Sequence, residues 1–216
     1  MQAFFTLVRR ELGGYFNSLT GYVVLAVVLL LIGLSFVQII NGLNGTPTSV
    51  PVTQIYYQSL YFWLILLLAS PVITMRSFAL EKDSGTFETL MTAPVSDRQV
   101  VAAKFSGALI FYVIICQPLL VCVLVLRYFG GAQEAFDFGL LASTGLGILL
   151  IGCLYMAMGI FASSLTRSQM TAAMISFAGG LTLFMLSFVN TGNLAPNDAL
   201  SALLSAINLR QHMEAF

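Results

Sequence analysis

The run YVVLAVVLLLIGLSFVQII, lying within residues 21–41, contains no charged group. A spanning helix needs about 20 predominantly apolar residues to cross the hydrocarbon layer of a bilayer. This run has that length, and Asn41-Gly42 closes it. Comparable stretches recur at about 57–75, 99–126, 138–164 and 168–189. Composition agrees, since 58% of the 216 residues are hydrophobic and only 8% are charged. Soluble domains carry about 25% charged residues. Mean hydropathy is +0.92. The expected fold class is an all-α polytopic membrane protein with five spanning helices.

Ahead of the first span, residues 3–16 predict a short interfacial helix. Phe4, Phe5, Val8, Leu12, Tyr15 and Phe16 recur at helical spacing, with Arg9, Arg10 and Glu11 on the other side. This segment is not a secretory signal, because its charges follow the first apolar cluster and no small-residue cleavage site comes after the long run.

Residues 42–56 read as a connecting loop rich in Gly, Thr and Pro. The aromatics Tyr56, Tyr57, Tyr61, Phe62 and Trp63 suit an interfacial belt at the outer end of the second span. Ser96-Asp97-Arg98-Gln99 predicts a capping box before the third span, and Thr166-Arg167-Ser168-Gln169 a second one before the fifth. Gly145, Gly152 and Gly159 form a small-residue stripe for close helix approach.

Lys and Arg placement sets the expected orientation. With the N-terminus in the cytoplasm, Arg9, Arg10, Arg76, Lys82, Arg98, Lys104 and Arg167 lie inside, and only Arg127 and Arg210 outside. That asymmetry follows the positive-inside rule. Residues 190–216 then form an external segment of short amphipathic helices.

Several function classes lose support. Net charge is zero and no basic tail is present, so nucleic-acid binding has no electrostatic basis. Beyond Lys104, which opens the third span, the spans carry no Asp, Glu, Lys, Arg or His, whereas ion-coupled transporters place such a group in the membrane. Gln38, Asn41 and Gln117 are the polar groups nearest membrane depth, and bonding to a neighbouring helix is their commonest use. Cys116, Cys122 and Cys153 sit in apolar runs without a CxxC pair and read as small buried hydrophobes. His212 stands alone in the tail, and no metal-ligand cluster or catalytic constellation is expected. Nothing matches GxxxxGK[ST], so any nucleotide hydrolysis belongs to another chain.

One stretch interrupts the apolar pattern. Residues 76–104, RSFALEKDSGTFETLMTAPVSDRQVVAAK, hold eight of the eighteen charged residues. Ser84-Gly85-Thr86 is a break, Thr86 can cap a short helix at Phe87–Thr92, and Pro94 ends it. Phe87, Leu90 and Met91 make its apolar side, and Glu81, Lys82, Asp83 and Glu88 supply charge. From the pattern alone, such an element either sits in a cleft of a soluble partner or rests on lipid headgroups.

The acid at Glu81, Gly85-Thr86, the second acid at Glu88, Leu90-Met91, Pro94 and then Lys104 resemble the coupling segment of type 2 ABC exporter permeases. The branch most similar is that of the gliding-motility-associated and nitrous-oxide-reductase-maturation permeases. The resemblance implies a single permease domain over 1–216, in the inner membrane, without enzymatic activity of its own. It implies that Glu81, Gly85, Thr86, Phe87, Glu88, Leu90 and Met91 form the region docking on an ABC-type ATP-binding subunit. ATP and Mg would be held by that subunit, with no cofactor on this chain, and a second permease subunit would complete a dimer. It also implies a sixth span, so a truncated C-terminus is expected. The competing expectation is a non-transporting membrane anchor that recruits a soluble factor through the same loop.

Overall fold

The computed structural model describes residues 2–43, 55–56, 59–91, 95–129 and 138–187. The expected external helices of 190–216 lie outside the described residues, as do most of the 42–56 loop, Arg210, His212 and the Arg127 side chain. The described residues are helical, without strands. Helix α1 covers Gln2–Phe16 and α2 covers Leu19–Leu43. They are followed by α3 (Leu60–Thr74), the short α4 (Ala79–Asp83) and α5 (Thr86–Met91), then α6 (Asp97–Phe129), α7 (Phe138–Leu165) and α8 (Gln169–Leu186). Five helical stretches are long and apolar enough to cross a membrane, namely Leu19–Gly42, Leu60–Asp83, Asp97–Val125, Ala142–Leu165 and Gln169–Leu186.

The bundle forms around α3. Ten of its fifteen residues are buried, and it packs against α2, α7 and α8. A helix apolar all round belongs at the centre of a bundle. The outer helices instead bury a stripe. On α2 the stripe is Val24, Val28, Ile32, Ser35 and Ile39, while Tyr22, Val23, Leu30, Leu34 and Val37 face outward. The outward apolar surface is what a bilayer solvates.

Small residues bring four helices together. A methyl group on Gly152 would stand 2.1 Å from Cε1 of the buried Tyr112, so α7 meets α6 there. One on Gly159 would stand 2.1 Å from Thr74 Oγ1 and 3.0 Å from Ser176 Oγ, between α3 and α8. A methyl group on Gly145, expected in the same stripe, would have no other element within 4 Å among the described residues. Ser70 donates to the Tyr155 carbonyl at 3.0 Å, and the Tyr155 hydroxyl donates to the Gly180 carbonyl at 3.2 Å. Both polar groups are thereby satisfied within the bundle.

Several expectations need correcting. Tyr56, Phe62 and Trp63 are core residues and do not form a lipid-facing belt. They chain through ring contacts of 5.8 and 5.5 Å, and Trp63 meets Phe184 at 5.4 Å. Packing on α8 outweighed their interfacial preference. Gln38, Asn41 and Gln117 are exposed on the outside of the bundle rather than set between helices. The three cysteines are half-buried rather than core residues. Helix α8 is capped by Ser168, two residues after the expected Thr166, and Ser168 makes no side-chain cap bond. Before α6, the expected box forms in one direction, with the Ser96 N–H donating to Gln99 Oε1 at 3.3 Å.

Helix α1 lies along α6 and does not span. Tyr15 stacks on Phe111 at 4.9 Å, and Phe16 meets the same ring edge-on at 5.3 Å. The chain then turns tightly into α2. The Gly21 N–H donates to Ser18 Oγ at 3.1 Å, and a methyl group on Gly21 would fall 2.0 Å from the Tyr15 carbonyl oxygen.

Candidate functional site

The polar segment forms an elbow at one end of the bundle. After α3, the backbone turns through Met75–Phe78 into α4, and Gly85 separates α4 from α5. Gly85 has φ +72°, the left-handed region that other residues enter at a cost. The break expected at Ser84-Gly85-Thr86 is therefore a backbone conformation that glycine supplies.

Three distant helices hold the elbow. The first is α7, whose fully buried Ser163 accepts from the N–H groups of Phe78 and Ala79 at 3.0 and 3.1 Å and donates to the Met75 carbonyl at 3.2 Å. One side chain thus caps the start of α4 from another helix, satisfying donors that a helix end leaves open. Lys82 of α4 donates to the Ser164 carbonyl in return.

The second is α6, through Lys104, which is 2% exposed. Its ammonium lies 2.9 Å from Glu11 Oε1, 2.9 Å from Glu81 Oε1 and 2.6 Å from the Ser77 carbonyl. An ammonium has three protons, and three acceptors surround this one. The Phe78 ring centroid lies 5.1 Å from it. The third is α1, where Arg10 donates to Glu81 Oε1 at 2.5 Å. The second oxygen of Glu81 is buried and has no hydrogen-bond partner among the described residues.

Sequence reasoning set Arg10 and Glu11 on the polar side of α1, away from its packing face. The structure turns both toward the elbow, because the buried Lys104 draws carboxylates to it. The available signal was Lys104 itself, a lone cation in an apolar helix, since such a group is buried only with partners. Ser163 had no such signal: a serine in an apolar run announces nothing until the elbow packs on it.

The loop residues fall into two groups. Glu81 faces inward, 8% exposed. Beyond the Gly85 break, Thr86 and Glu88 are exposed, with Glu88 in the first turn of α5, where an acid complements the helix dipole. Helix α5 begins at Thr86, one residue before the expected start. The Thr86 hydroxyl lies 2.9 Å from Ser84 Oγ and 3.4 Å from the Glu81 carbonyl, joining the two short helices. Phe87 is half-buried, edge-on to Phe78 at 6.5 Å, with the Lys82 ammonium 5.5 Å from its ring centroid. Leu90 and Met91 complete the helix, and their side chains lie outside the described residues.

Between α1 and the elbow lies an open cleft of about 680 Å³. Its polar wall carries Arg10, Glu11, Arg76, Glu81 and Lys104, and Leu7, Leu80 and Val95 supply apolar surface. Burial pushes the Tyr15 phenol, also on this wall, up to about 12, so it stays neutral at physiological pH. Among the described residues no cluster suited to a metal ion occurs.

Residues 30–215 match the family model described as ABC-2 family transporter protein. That match covers most of the chain, including α3 through α8 and the whole elbow. The chain belongs to the ABC-2 family, and is a membrane permease component of an ABC transporter. Membership implies a partner of the ABC ATP-binding class. Neither the curated proteins nor the solved structures gave a match.

Proposed function

We propose that this chain is the permease of an ATP-driven exporter, in which a separate ATPase docks on α5 and moves the elbow. The observation that carries this reading is the division of the loop at Gly85. On one side α4 is tied to α1, α6 and α7 by Arg10, Lys104 and Ser163. On the other, α5 turns Thr86 and Glu88 outward. A contact surface joined to a clamped hub is what transmission of a push requires. Glu81 then acts as a transmitting residue within the hub, with docking left to α5. Its spare oxygen gives it a second place to accept a donor when the helices shift, as a two-position latch needs.

In this reading the elbow end faces the cytoplasm of a bacterial-type inner membrane, with the N-terminus on that side. Arg10, Arg76, Lys82 and Lys104 gather at this one end, which supports the orientation by the positive-inside rule. Two permease and two ATPase subunits would form the transporter, of the gliding-motility or nitrous-oxide-reductase-maturation type.

The test is co-purification of the permease with the ATPase encoded beside it, measuring complex formation and ATPase stimulation separately. Glu88→Lys should weaken the complex. Glu81→Gln should preserve the complex and reduce stimulation. If both variants behave as wild type, the coupling role is lost. If Glu88→Lys breaks the complex and the permease never alters ATPase activity, the chain is a recruiting anchor.

A further inference from the structure

The charges around the cleft are unequally committed. All three protons of Lys104 have acceptors, and Arg10 is engaged by Glu81. Arg76 is different. Its only described hydrogen bond is to Thr20 Oγ1 at 3.3 Å, and it forms no ion pair among the described residues. It is half-buried on the cleft wall, beside Leu80 and Tyr15. The wall carries three cations against two carboxylates, a formal excess of one positive charge. A partly buried guanidinium without a counter-charge favours an anion, and its planar fork fits phosphate oxygens.

Size and depth narrow the anion. The cleft's 680 Å³ falls within the roughly 300–1,000 Å³ of small-molecule sites, so it has room for a phosphate and for a group attached to it. It lies where α3 ends and α6 begins, at one end of the apolar stretches, and such an end of a spanning bundle meets lipid headgroups. The apolar residues Leu7, Leu80 and Val95 offer contact for the part of a ligand next to its phosphate.

We propose that the cleft is a binding site for a single phosphate group, carried by an anionic phospholipid or by soluble phosphate, with Arg76 as its anchor. Neither the family match nor the coupling reading assigns this site, and the inference stands apart from both. An occupied cleft would join α1 to the elbow by a route independent of Arg10 and Glu81.

The full chain in nanodiscs of equal phosphatidylglycerol and phosphatidylcholine, with retained lipid counted by native mass spectrometry, tests the lipid source. Wild type should retain phosphatidylglycerol over phosphatidylcholine by about tenfold, the scale of one charge-assisted contact. Arg76→Gln should lose that preference. Arg9→Gln should keep it, because Arg9 is exposed on α1 and does not line the cleft. In a second arm, inorganic phosphate is titrated onto delipidated wild type and melting followed. Stabilisation by phosphate without lipid preference assigns the site to a soluble ligand, and lipid preference assigns it to the headgroup. The proposal fails if neither ligand binds, or if Arg9→Gln removes binding as fully as Arg76→Gln. If Arg76→Gln does not fold, Arg76→Lys takes its place and should reduce the preference, because it keeps the charge and loses the planar fork.

Discussion

Seventy-one residues of chain separate Arg10 from Glu81, and 2.5 Å separates their charged atoms. The first belongs to a helix too short to span, the second to the elbow between two spans. Lys104, from a third element, closes the group. An amphipathic N-terminal helix that might have floated on lipid is thereby part of the same ionic unit as the loop.

Lys104→Met should destabilise the protein by about 3 kcal/mol, because it leaves the buried Glu81 and the half-buried Glu11 with only the exposed Arg10 as a cation. Thermal unfolding in detergent would show it. Combining Lys104→Met with Glu81→Gln should recover part of the loss, since fewer uncompensated charges then remain. Equal melting of Lys104→Met and wild type would mean that the cluster has no structural weight.

Ser163→Ala removes the acceptor for two backbone N–H groups and should cost about 1–3 kcal/mol. Hydrogen exchange localises the effect. The amides of Phe78 and Ala79 should exchange faster while those in the middle of α3 stay protected.

Gly152→Ala should overpack the α6–α7 contact and cost about 1–3 kcal/mol, because Tyr112 is fully buried and has no free direction to move. Gly145→Ala is the matched control, with open space at its Cβ, and should be neutral or slightly stabilising. Parallel melting curves for the two variants would contradict the packing described here.

Gly85→Ala forces a side chain into the left-handed region, at about 1–2 kcal/mol. Nothing lies within 4 Å of the added methyl, so the effect is conformational rather than steric. The permease should still fold, and the angle between α4 and α5 should change. In the coupling reading, ATPase stimulation falls strongly while melting drops only by the few degrees that a loss of about 1–2 kcal/mol implies.

The spans were legible because runs such as 22–40 need no partner to be recognised. Their length and lack of charge suffice. The break at Gly85 was legible for a similar reason, being local chemistry. Trp63 and Phe62 were misplaced because an aromatic near a span end looks the same whether it meets lipid or another helix, and only Phe184, far along the chain, decides between them. The grouping of Arg10, Glu11 and Lys104 with Glu81 was hidden for the same reason. Charge at each position was plain, but pairing depends on how α1 folds back along α6. The candidate coupling residues were singled out by their pattern, which could not show that Glu81 faces inward while Glu88 faces out.

Helix α4 is five residues long. Alone, a segment of that size does not repay the entropy of forming its first turn. Its opening N–H groups are satisfied by a hydroxyl from α7, eighty-five residues away for Phe78. This piece of secondary structure therefore exists only while the tertiary fold holds it. Fraying at the end of α7 should loosen the elbow as well, because Ser163 and Ser164 tie the two together.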